Sequence, residues 1–570
     1  MMVFDETRMM SASPEGLSQF ENLVRRDRNH PSVFMWSMGN EEGAADGVYG
    51  FPILTEMKAV ARKNDGTRPV CMAENGGNNM GKAGYAALDV QGYNYADPAA
   101  DAFHKANPKV PVMGTENVSA VATRGIYVMD AQHGYVGSYD PYTTTGRASC
   151  EGWWSFCNAR PWLAGGYIWT GFDYRGEPSP YGWPNIGSQY GIIDMCGFPK
   201  DSFFYFQSWW TAKPVLHLFP HWNWPGLEGK EIAVWVHSNL DRVELLVNGQ
   251  SLGAKDMKKD SHLAWNVQYA PGAIEARGFK DGKQVLTSRR ETAGAAAKLV
   301  LSADRNEISA DGEDVAMFAV EVQDAQSRPV PTADNQVSFR VSGQGAVIGV
   351  GNGDPTNHEP DRARSRKAFN GLCMALVQAG KTAGNITVEA SAPGLTPASI
   401  TISAKAVKLR PQVAVWEREV PAGAGITGLW RPAPAAAAAG RGGGGASQVF
   451  TLRQNGNALT GTVEGAGGIR GGSDAPVAIE EGKLDGPSVS FKAGNVTYTG
   501  TVRADRIELE RAGGPAFRGR PAPAEPTGPR PAIGPPPDGS DPSSGFFISG
   551  GRGGRGPQTP TPLVLVRAQR

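Results

Sequence analysis

A chain of 570 residues with 56 basic and 56 acidic side chains carries no net charge that would attract nucleic acid or an anionic membrane surface. It holds no run of about 18 apolar residues, so we predict no transmembrane helix and no membrane partner. The length allows roughly three to five domains, each large enough for a core of its own.

Residues 1–213 alternate short apolar runs with helix-like segments. A helix is predicted near the N-terminus, with Ser13 as its N-cap and Pro14 at the first helical position. The stretches "FPILTEMKAVARKN" and "SCEGWWSFCNARPW" favour two more helices. The apolar runs predict strands over residues 2–5, 33–37, 70–73, 90–94, 110–114 and 166–170. This alternation is typical of a parallel sheet with right-handed crossovers, and predicts a (β/α) barrel domain.

Near residue 214 the hydrophobic pattern changes to alternation with a period of two. The Asn248-Gly249 pair within it is a hairpin signal. The spacing predicts a β-sandwich over residues 214–292 and an immunoglobulin-like β-sandwich over residues 296–407.

Beyond residue 407 the composition changes again. Residues 408–424 are predicted to be a linker, and the Pro- and Gly-rich residues 514–561 to be disordered, because neither can bury enough apolar surface. Short strands joined by Asn-Gly and Gly turns predict a small antiparallel β-barrel over residues 425–513, completed by a strand in residues 562–570. The predicted fold class is therefore a multidomain α/β plus all-β protein.

Polar and aromatic side chains follow the predicted strands of residues 1–213. They are Asp5, Glu6, Arg8, Asn40, Glu41, Glu74, Asn94, Tyr95, Glu116, Trp169 and Asp173. In a (β/α) barrel the carboxyl ends of all strands point to the face that holds active sites. Acids, amides and aromatic rings on one face indicate sugar chemistry, in which two carboxyl groups cleave the glycosidic bond. Among these acids, Glu41 and Glu116 follow the two cleanest apolar runs.

Each of these residues also has a plainer interpretation. A single strand-terminal glutamate more often forms a salt bridge, and Tyr95 or Trp169 alone would more often be a core residue. His104 and His133 are more often surface or core histidines than ligands. The five cysteines are an odd, scattered set without CxxC, which favours buried free thiols. No spacing is typical of a metal site, so we predict no metal and no cofactor.

Three motifs resemble glycoside hydrolase family 2, the group of β-galactosidases, β-glucuronidases and β-mannosidases. The run "RDRNHPSVFMWSMGNEE" resembles the acid/base strand, "PVMGTENVS" the nucleophile strand, and "GGYIWTGFDYRGEP" the eighth barrel strand. The segment "GIIDMCGFPKDSFFYFQSWW", followed by a β-sandwich, resembles the β-galactosidase-like branch of the family. The resemblance covers about residues 1–407.

The resemblance implies a role for each matching residue. Glu41 would be the general acid/base, Glu116 the nucleophile that forms a covalent glycosyl-enzyme, and Asn40 a ligand of the sugar 2-hydroxyl. Tyr95 would donate a hydrogen bond to Glu116, and Trp169 would line the subsite of the cleaved sugar. Asp5, Glu6, Arg8 and Asp173 would be supporting residues, with Asp5, Glu6 and Asp173 in substrate binding. The substrate would be a β-galactoside or related glycan, and the resemblance leaves an oligomer open.

The chain departs from the family pattern at its N-terminus, because "VFDETRMM" resembles the third barrel strand and only six of eight strands are visible. We therefore expect the C-terminal part of a larger enzyme, periplasmic or secreted as a whole, although "MMVFDETRMM" lacks a signal peptide. β-Glucuronidase and β-mannosidase remain alternatives, the first weakened because no Asn-x-Lys follows Trp169. An inactive fragment or a non-catalytic carbohydrate-binding protein is the alternative of another class.

Overall fold

The computed structural model describes residues 2–75, 80, 83–140, 148–410, 425–432, 448–464, 476–503, 506–512 and 563–567. Two compact units contain them, one reaching Leu409 and one formed by the C-terminal strands. The segment predicted to be disordered, 514–561, and most of the predicted linker, 408–424, lie outside the described residues. No helix in the described part of the chain is long and apolar enough to cross a membrane.

A six-stranded parallel sheet forms the N-terminal domain, with its strands in sequence order. The strands are β1 (Val3–Glu6), β2 (Val33–Asn40), β3 (Val70–Asn75), β4 (Val90–Asn94), β5 (Val112–Val118) and β6 (Leu163–Trp169). The helices are α1 (Pro14–Asp27), α2 (Gly50–Asn64), α3 (Asp97–Ala106), α4 (Cys150–Asn158) and α5 (Asp201–Trp210), with 3-10 turns at Gly43–Asp46 and Ala83–Ala87. All six predicted strands and all three predicted helices are confirmed, with ends shifted by a few residues.

Local sequence explains where these elements begin. Ser13 caps α1 by accepting a hydrogen bond from the Gly16 N–H at 3.1 Å, and Pro14 opens the helix. Strand β5 begins only after Pro111 and continues through Glu116, so the predicted nucleophile lies within the strand rather than beyond it. Likewise β2 extends to Asn40, because Asn40 pairs with Ala73 of β3.

The sheet curls around a small apolar interior. Met35, Cys71 and Met113 form its buried centre. Phe4 of β1 and Tyr167 of β6 pack onto this centre from the two edge strands, and their rings stack at 6.3 Å. The first and last strands are therefore close, although they share no backbone ladder in the described residues. This curvature directs the carboxyl ends of all six strands to a common rim.

Two β-sandwiches follow in the same compact unit. The first contains β7 (Leu216–Phe219), β8 (Glu231–Ser238), β9 (Arg242–Val247), β10 (Gln250–Asp256), β11 (Leu263–Gln268), β12 (Ala273–Lys280) and β13 (Lys283–Glu291), in sheets ordered β10-β9-β12-β13 and β11-β8-β7. The second contains β14 (Ala296–Ala303), β15 (Glu307–Ser309), β16 (Val315–Asp324), β17 (Gln336–Gly343), β18 (Gly345–Gly351), β19 (Ser365–Lys367), β20 (Leu372–Ala379), β21 (Gly384–Ser391) and β22 (Ala398–Lys405). Its sheets are β14-β16-β20-β18 and β15-β22-β21-β17-β19.

The C-terminal unit is a closed antiparallel barrel. Its strands are β23 (Gly428–Pro432), β24 (Val449–Asn455), β25 (Ala458–Glu464), β26 (Val477–Asp485), β27 (Ser488–Ala493), β28 (Val496–Val502), β29 (Arg506–Ala512) and β30 (Leu563–Arg567). Trp430, Phe450, Phe491 and Tyr498 fill its interior. The predicted fold class, an incomplete (β/α) barrel followed by β-sandwiches and a small β-barrel, is confirmed.

Candidate active site

Three residues leave their strands at the rim in a strained conformation. Glu41 after β2, Tyr95 after β4 and Ser119 after β5 have φ angles of 58°, 58° and 54°. Residues other than glycine seldom adopt such angles, and each costs on the order of 1–3 kcal/mol. Neighbouring strands hold two of these turns, since the Glu41 N–H donates to the Ala73 carbonyl at 3.1 Å and the Tyr95 N–H to the Glu116 carbonyl at 3.0 Å. Strain concentrated at one rim is typical of a functional site.

The Asn94 side chain joins the two candidate catalytic carboxyl groups. Its Nδ2 donates to Glu41 Oε1 at 2.7 Å and to Asn40 Oδ1 at 3.1 Å, and lies 3.5 Å from Glu116 Oε2. Its Oδ1 accepts from Thr115 Oγ1 at 2.7 Å, which fixes the orientation of the amide. The two distances from Nδ2 place Glu41 Oε1 and Glu116 Oε2 within about 6.2 Å of each other. The structure thus brings Asn40, Glu41 and Glu116 together.

The other oxygen of Glu116 faces Tyr95. The Tyr95 hydroxyl donates to Glu116 Oε1, and Ser119 Oγ donates to the Tyr95 hydroxyl at 2.9 Å. Donors directed at a carboxylate stabilise its charged form. In the described residues the two carboxyl groups therefore accept from different donors, Glu116 from a phenol hydroxyl and Glu41 from an amide.

Trp169 lies at the end of β6, where it pairs with Val118 of β5. Its Nε1 donates to the Tyr174 hydroxyl at 3.2 Å, and the two rings meet edge to face at 5.6 Å. The Tyr174 hydroxyl in turn donates to Glu177. Trp169 is only partly buried and stands next to the strand that carries Glu116, so its ring is placed to line the same rim.

Glu6 and Asp5, both predicted to support substrate binding, point in opposite directions because alternate residues of a strand face opposite sides of a sheet. Glu6 accepts from Ser37 Oγ at 2.8 Å, and burial raises its pKa. Asp5 instead interacts with Asp27 at the end of α1, where burial and then the Asp27 carboxyl raise the pKa of Asp5 to about 6. The structure therefore does not bring Asp5 to the carboxyl pair; it faces the helix layer.

Asp173 also differs from its predicted role. Its carboxylate accepts from Lys200 Nζ and from the Gly191 N–H, both at 2.8 Å. Only 3% of the Asp173 side chain and none of the Lys200 side chain is exposed. Burial raises the pKa of Asp173 to about 6, while the Lys200 ammonium opposes that shift. The pair braces the segment after β6 and does not present the carboxylate to a sugar.

Sequence reasoning gave Asn94 no role, although the signal was present. Asn94 stands directly before Tyr95 at a strand end, as Asn40 stands directly before Glu41. Only the spatial order β2-β3-β4-β5 reveals that Asn94 can reach both carboxyl groups.

A cleft of about 910 Å³ lies elsewhere, among α5, β7 and β13, and is lined by residues such as Phe204, His217 and Arg290. None of the strand-end residues described above lines it. This cleft and the carboxyl pair therefore lie in different places. We take the carboxyl pair as the candidate active site, because cleavage of a glycosidic bond requires two carboxyl groups.

Comparison with known proteins identifies three domains in the chain. Residues 5–179 match the family model for the TIM barrel domain of glycosyl hydrolases family 2, and residues 299–401 match that for glycoside hydrolase family 2 C-terminal domain 5. Residues 229–286, in the first sandwich, match a domain of unknown function.

Three proteins illustrate the similarity. The chain is 37% identical over 438 residues to the β-galactosidase BoGH2A of Bacteroides ovatus, an alignment that covers 67% of this chain and 51% of that protein. It is 29% identical to a putative β-glucuronidase of Formosa agariphila, covering 61% of this chain and 36% of that protein. A crystal structure of a β-glycosidase from Bacteroides vulgatus superimposes with a TM-score of 0.64 at 31% identity, covering 71% of this chain and 56% of that one.

The chain thus spans about half the length of the first of these relatives, and less of the second. The matched barrel and C-terminal domains lie in the order expected from the sequence motifs. The chain belongs to glycoside hydrolase family 2.

Proposed function

We propose that this chain carries the catalytic centre of a retaining β-glycosidase. The observation that supports this most strongly is the Asn94 amide, which lies 2.7 Å from Glu41 Oε1 and 3.5 Å from Glu116 Oε2. The resulting limit of about 6.2 Å between these nearest oxygens agrees with the separation of about 5–5.5 Å between the carboxyl groups of retaining enzymes.

In the first step a carboxylate oxygen of Glu116 attacks the anomeric carbon while the bond from that carbon to the leaving oxygen breaks. Glu41 gives its proton to the leaving oxygen, so the aglycone departs as a neutral alcohol. The Tyr95 hydroxyl, which donates to Glu116, stabilises the negative charge of the attacking carboxylate. Asn40, whose Oδ1 accepts from Asn94, is held where it can bind the sugar 2-hydroxyl.

In the second step a water molecule attacks the same anomeric carbon and the bond to Glu116 breaks. Glu41, now a carboxylate, takes the proton from that water, which restores both groups to their starting states. Two displacements at one carbon return the sugar with its original configuration. Trp169, at the end of β6, is suited to pack against the sugar being transferred.

We propose a β-galactoside as the substrate. The name of the Bacteroides ovatus relative and the absence of Asn-x-Lys after Trp169 favour it over a β-glucuronide. A β-glucuronide is an alternative substrate, because two of the relatives are named as β-glucuronidases, one of them putative. A β-mannoside is a further alternative. The alternative of another class is an inactive or merely carbohydrate-binding chain. Such a chain would not require two carboxyl groups held around one amide.

The test is turnover of nitrophenyl β-galactoside, β-glucuronide and β-mannoside by the purified chain, with the anomeric configuration of the first product followed by proton NMR. The proposal expects the galactoside to be preferred and the β-anomer to form first. First release of the α-anomer would contradict retention, and absence of turnover on all three substrates would favour the non-catalytic alternative.

A further inference from the structure

One large aromatic side chain on the segment after β6 is unusually open to solvent. Trp183 is 67% exposed, whereas most tryptophans in the described residues are buried or half-buried. A single exposed apolar residue is ordinary on a protein surface and needs no explanation by itself. What distinguishes Trp183 is how firmly its surroundings are held.

A loop of the second sandwich holds the backbone around Trp183. His358 Nε2 lies 2.7 Å from the carbonyl oxygen of Pro184, and its ring meets the Trp183 ring edge to face at 4.7 Å. The Ile186 N–H donates to the Pro355 carbonyl at 2.8 Å. His358 and Pro355 belong to the loop between β18 and β19 of the second sandwich. That loop therefore fixes the position of an indole ring whose face remains open.

The segment carrying Trp183 lies with the loops that leave the active-site rim. Its Tyr174 contacts Trp169 at the end of β6. Its Gln189 accepts a hydrogen bond from Thr123, five residues beyond the end of β5, and its Tyr181 hydroxyl donates to the Tyr135 carbonyl at 3.3 Å. Trp183 therefore stands among the loops that follow the strands of Glu116 and Trp169.

We propose that Trp183 is a platform for a sugar ring of the glycan chain beyond the bond that is cleaved, and that the loop of residues 352–361 holds it in place. The inference rests on the proposed function for the identity of its ligand. An aromatic face binds the C–H surface of a pyranose with little loss of conformational entropy when the ring is already immobile. The second sandwich thus contributes to the choice of substrate without supplying a catalytic group.

The first test measures chain binding without turnover. The full chain, Trp183→Ala, Trp183→Phe and Trp210→Ala are run in native gels containing soluble β-1,4-galactan or β-linked arabinogalactan. Trp210 is the matched control because it is also exposed (49%) but belongs to a different element, as the last residue of α5. We expect retardation of the unmodified chain, Trp183→Phe and Trp210→Ala by at least one polysaccharide, and loss of it in Trp183→Ala. Equal migration of Trp183→Ala and the unmodified chain, or no retardation of either, would overturn the proposal.

The second test separates the platform from the catalytic centre. For Trp183→Ala, kcat/KM on galactan oligosaccharides should fall about five- to tenfold, the effect of losing one ring-stacking contact. On nitrophenyl β-galactoside, which has no further sugar, it should change less than about twofold. An equal fall on both substrates would contradict a platform role. If the unmodified chain turns over neither substrate, the proposed function fails, and the gel result still decides the inference.

Discussion

At the scale of single residues, the central arrangement is one amide between two carboxyl groups. Asn94 has two N–H hydrogens and three acceptor oxygens around Nδ2, at 2.7, 3.1 and 3.5 Å. The two shorter contacts, to Glu41 and Asn40, are therefore its hydrogen bonds, and the longest is a close approach to Glu116. The amide fixes Glu41 while leaving Glu116 to Tyr95, so the two carboxyl groups have different hydrogen-bond partners.

We predict that Glu41→Gln separates substrates by leaving group. Poor leaving groups should lose about 10²–10⁴-fold in kcat/KM because they need protonation, while nitrophenyl substrates should lose much less. The measurement is kcat/KM across aryl galactosides of graded leaving-group pKa. Glu56→Gln, an exposed glutamate of α2, is the control. Equal losses on good and poor leaving groups would contradict the acid/base role of Glu41.

We predict that Asn94→Asp is more harmful than its size suggests. It keeps the side-chain shape but removes the donor to Glu41 and adds a further carboxylate beside the pair, so kcat/KM should fall about 10²-fold or more. Asn64→Asp makes the same chemical change at the end of α2, where the amide donates to the Val60 carbonyl, and should leave kcat/KM unchanged. Similar kcat/KM values for Asn94→Asp and Asn64→Asp would show that the Asn94 amide has no part in turnover.

At the scale of elements, the apolar runs predicted the strands of the sheet well. They predicted poorly which side of the sheet each polar side chain faces. The apolar run 33–38 specifies β2, and the polar residues after it mark the rim. Whether Asp5 or Glu6 faces that rim depends on a register that one short strand does not encode. Asp173 depends on Lys200, which is distant in sequence, so its ion pair could not be read from the local motif.

Strands β7 and β8 carry a buried histidine pair behind α5. His217 and His237 lie with ring centroids 6.4 Å apart, and His237 packs edge to face on Tyr205 of α5 at 5.5 Å. Burial lowers the pKa of both, and nearby His262 and His217 lower that of His237 further. The unfolded chain therefore binds protons below about pH 6.5 that the folded chain does not, so stability falls as pH falls below that value.

We predict that His237→Phe reduces this acid sensitivity. One histidine kept neutral by folding costs about 2 kcal/mol of stability between pH 7.5 and pH 5. The free energy of unfolding in urea should therefore fall by about that much less in His237→Phe than in the unmodified chain over this interval. His30→Phe, at an exposed histidine, is the control. The same pH dependence in both variants and the unmodified chain would contradict the assignment.

At the scale of the whole molecule, the barrel domain and the second sandwich are joined through a buried cation. Arg124, in the loop after β5, donates through Nε to Asp194 Oδ2 at 2.7 Å. Its Nη2 donates to the carbonyl oxygens of Asn352 and Phe369 in the second sandwich, both at 2.9 Å. The same sandwich loop begins at Asn352 and continues to the residues that hold Trp183, so loss of Arg124 should loosen the rim as well as the junction.

We predict that Arg124→Met lowers the free energy of unfolding by about 3–5 kcal/mol, because it leaves the fully buried Asp194 carboxylate without its partner. Arg340→Met removes an ion pair of a largely exposed arginine (78%) with Glu389, and the loss in the free energy of unfolding should be much smaller. Urea unfolding followed by tryptophan fluorescence compares the two. Equal and small losses would mean that Arg124 does not hold the domains together.

Trapping of the covalent intermediate tests directly whether Glu116 is the nucleophile. A 2-fluoro β-galactoside with a good leaving group forms the glycosyl-enzyme quickly and hydrolyses it slowly, and peptide mass mapping then locates the sugar. We predict a single adduct on the peptide containing Glu116, absent from Glu116→Ala and retained in Glu42→Gln. An adduct on another carboxyl group, or none in a chain that still cleaves the nitrophenyl substrate, would contradict this prediction.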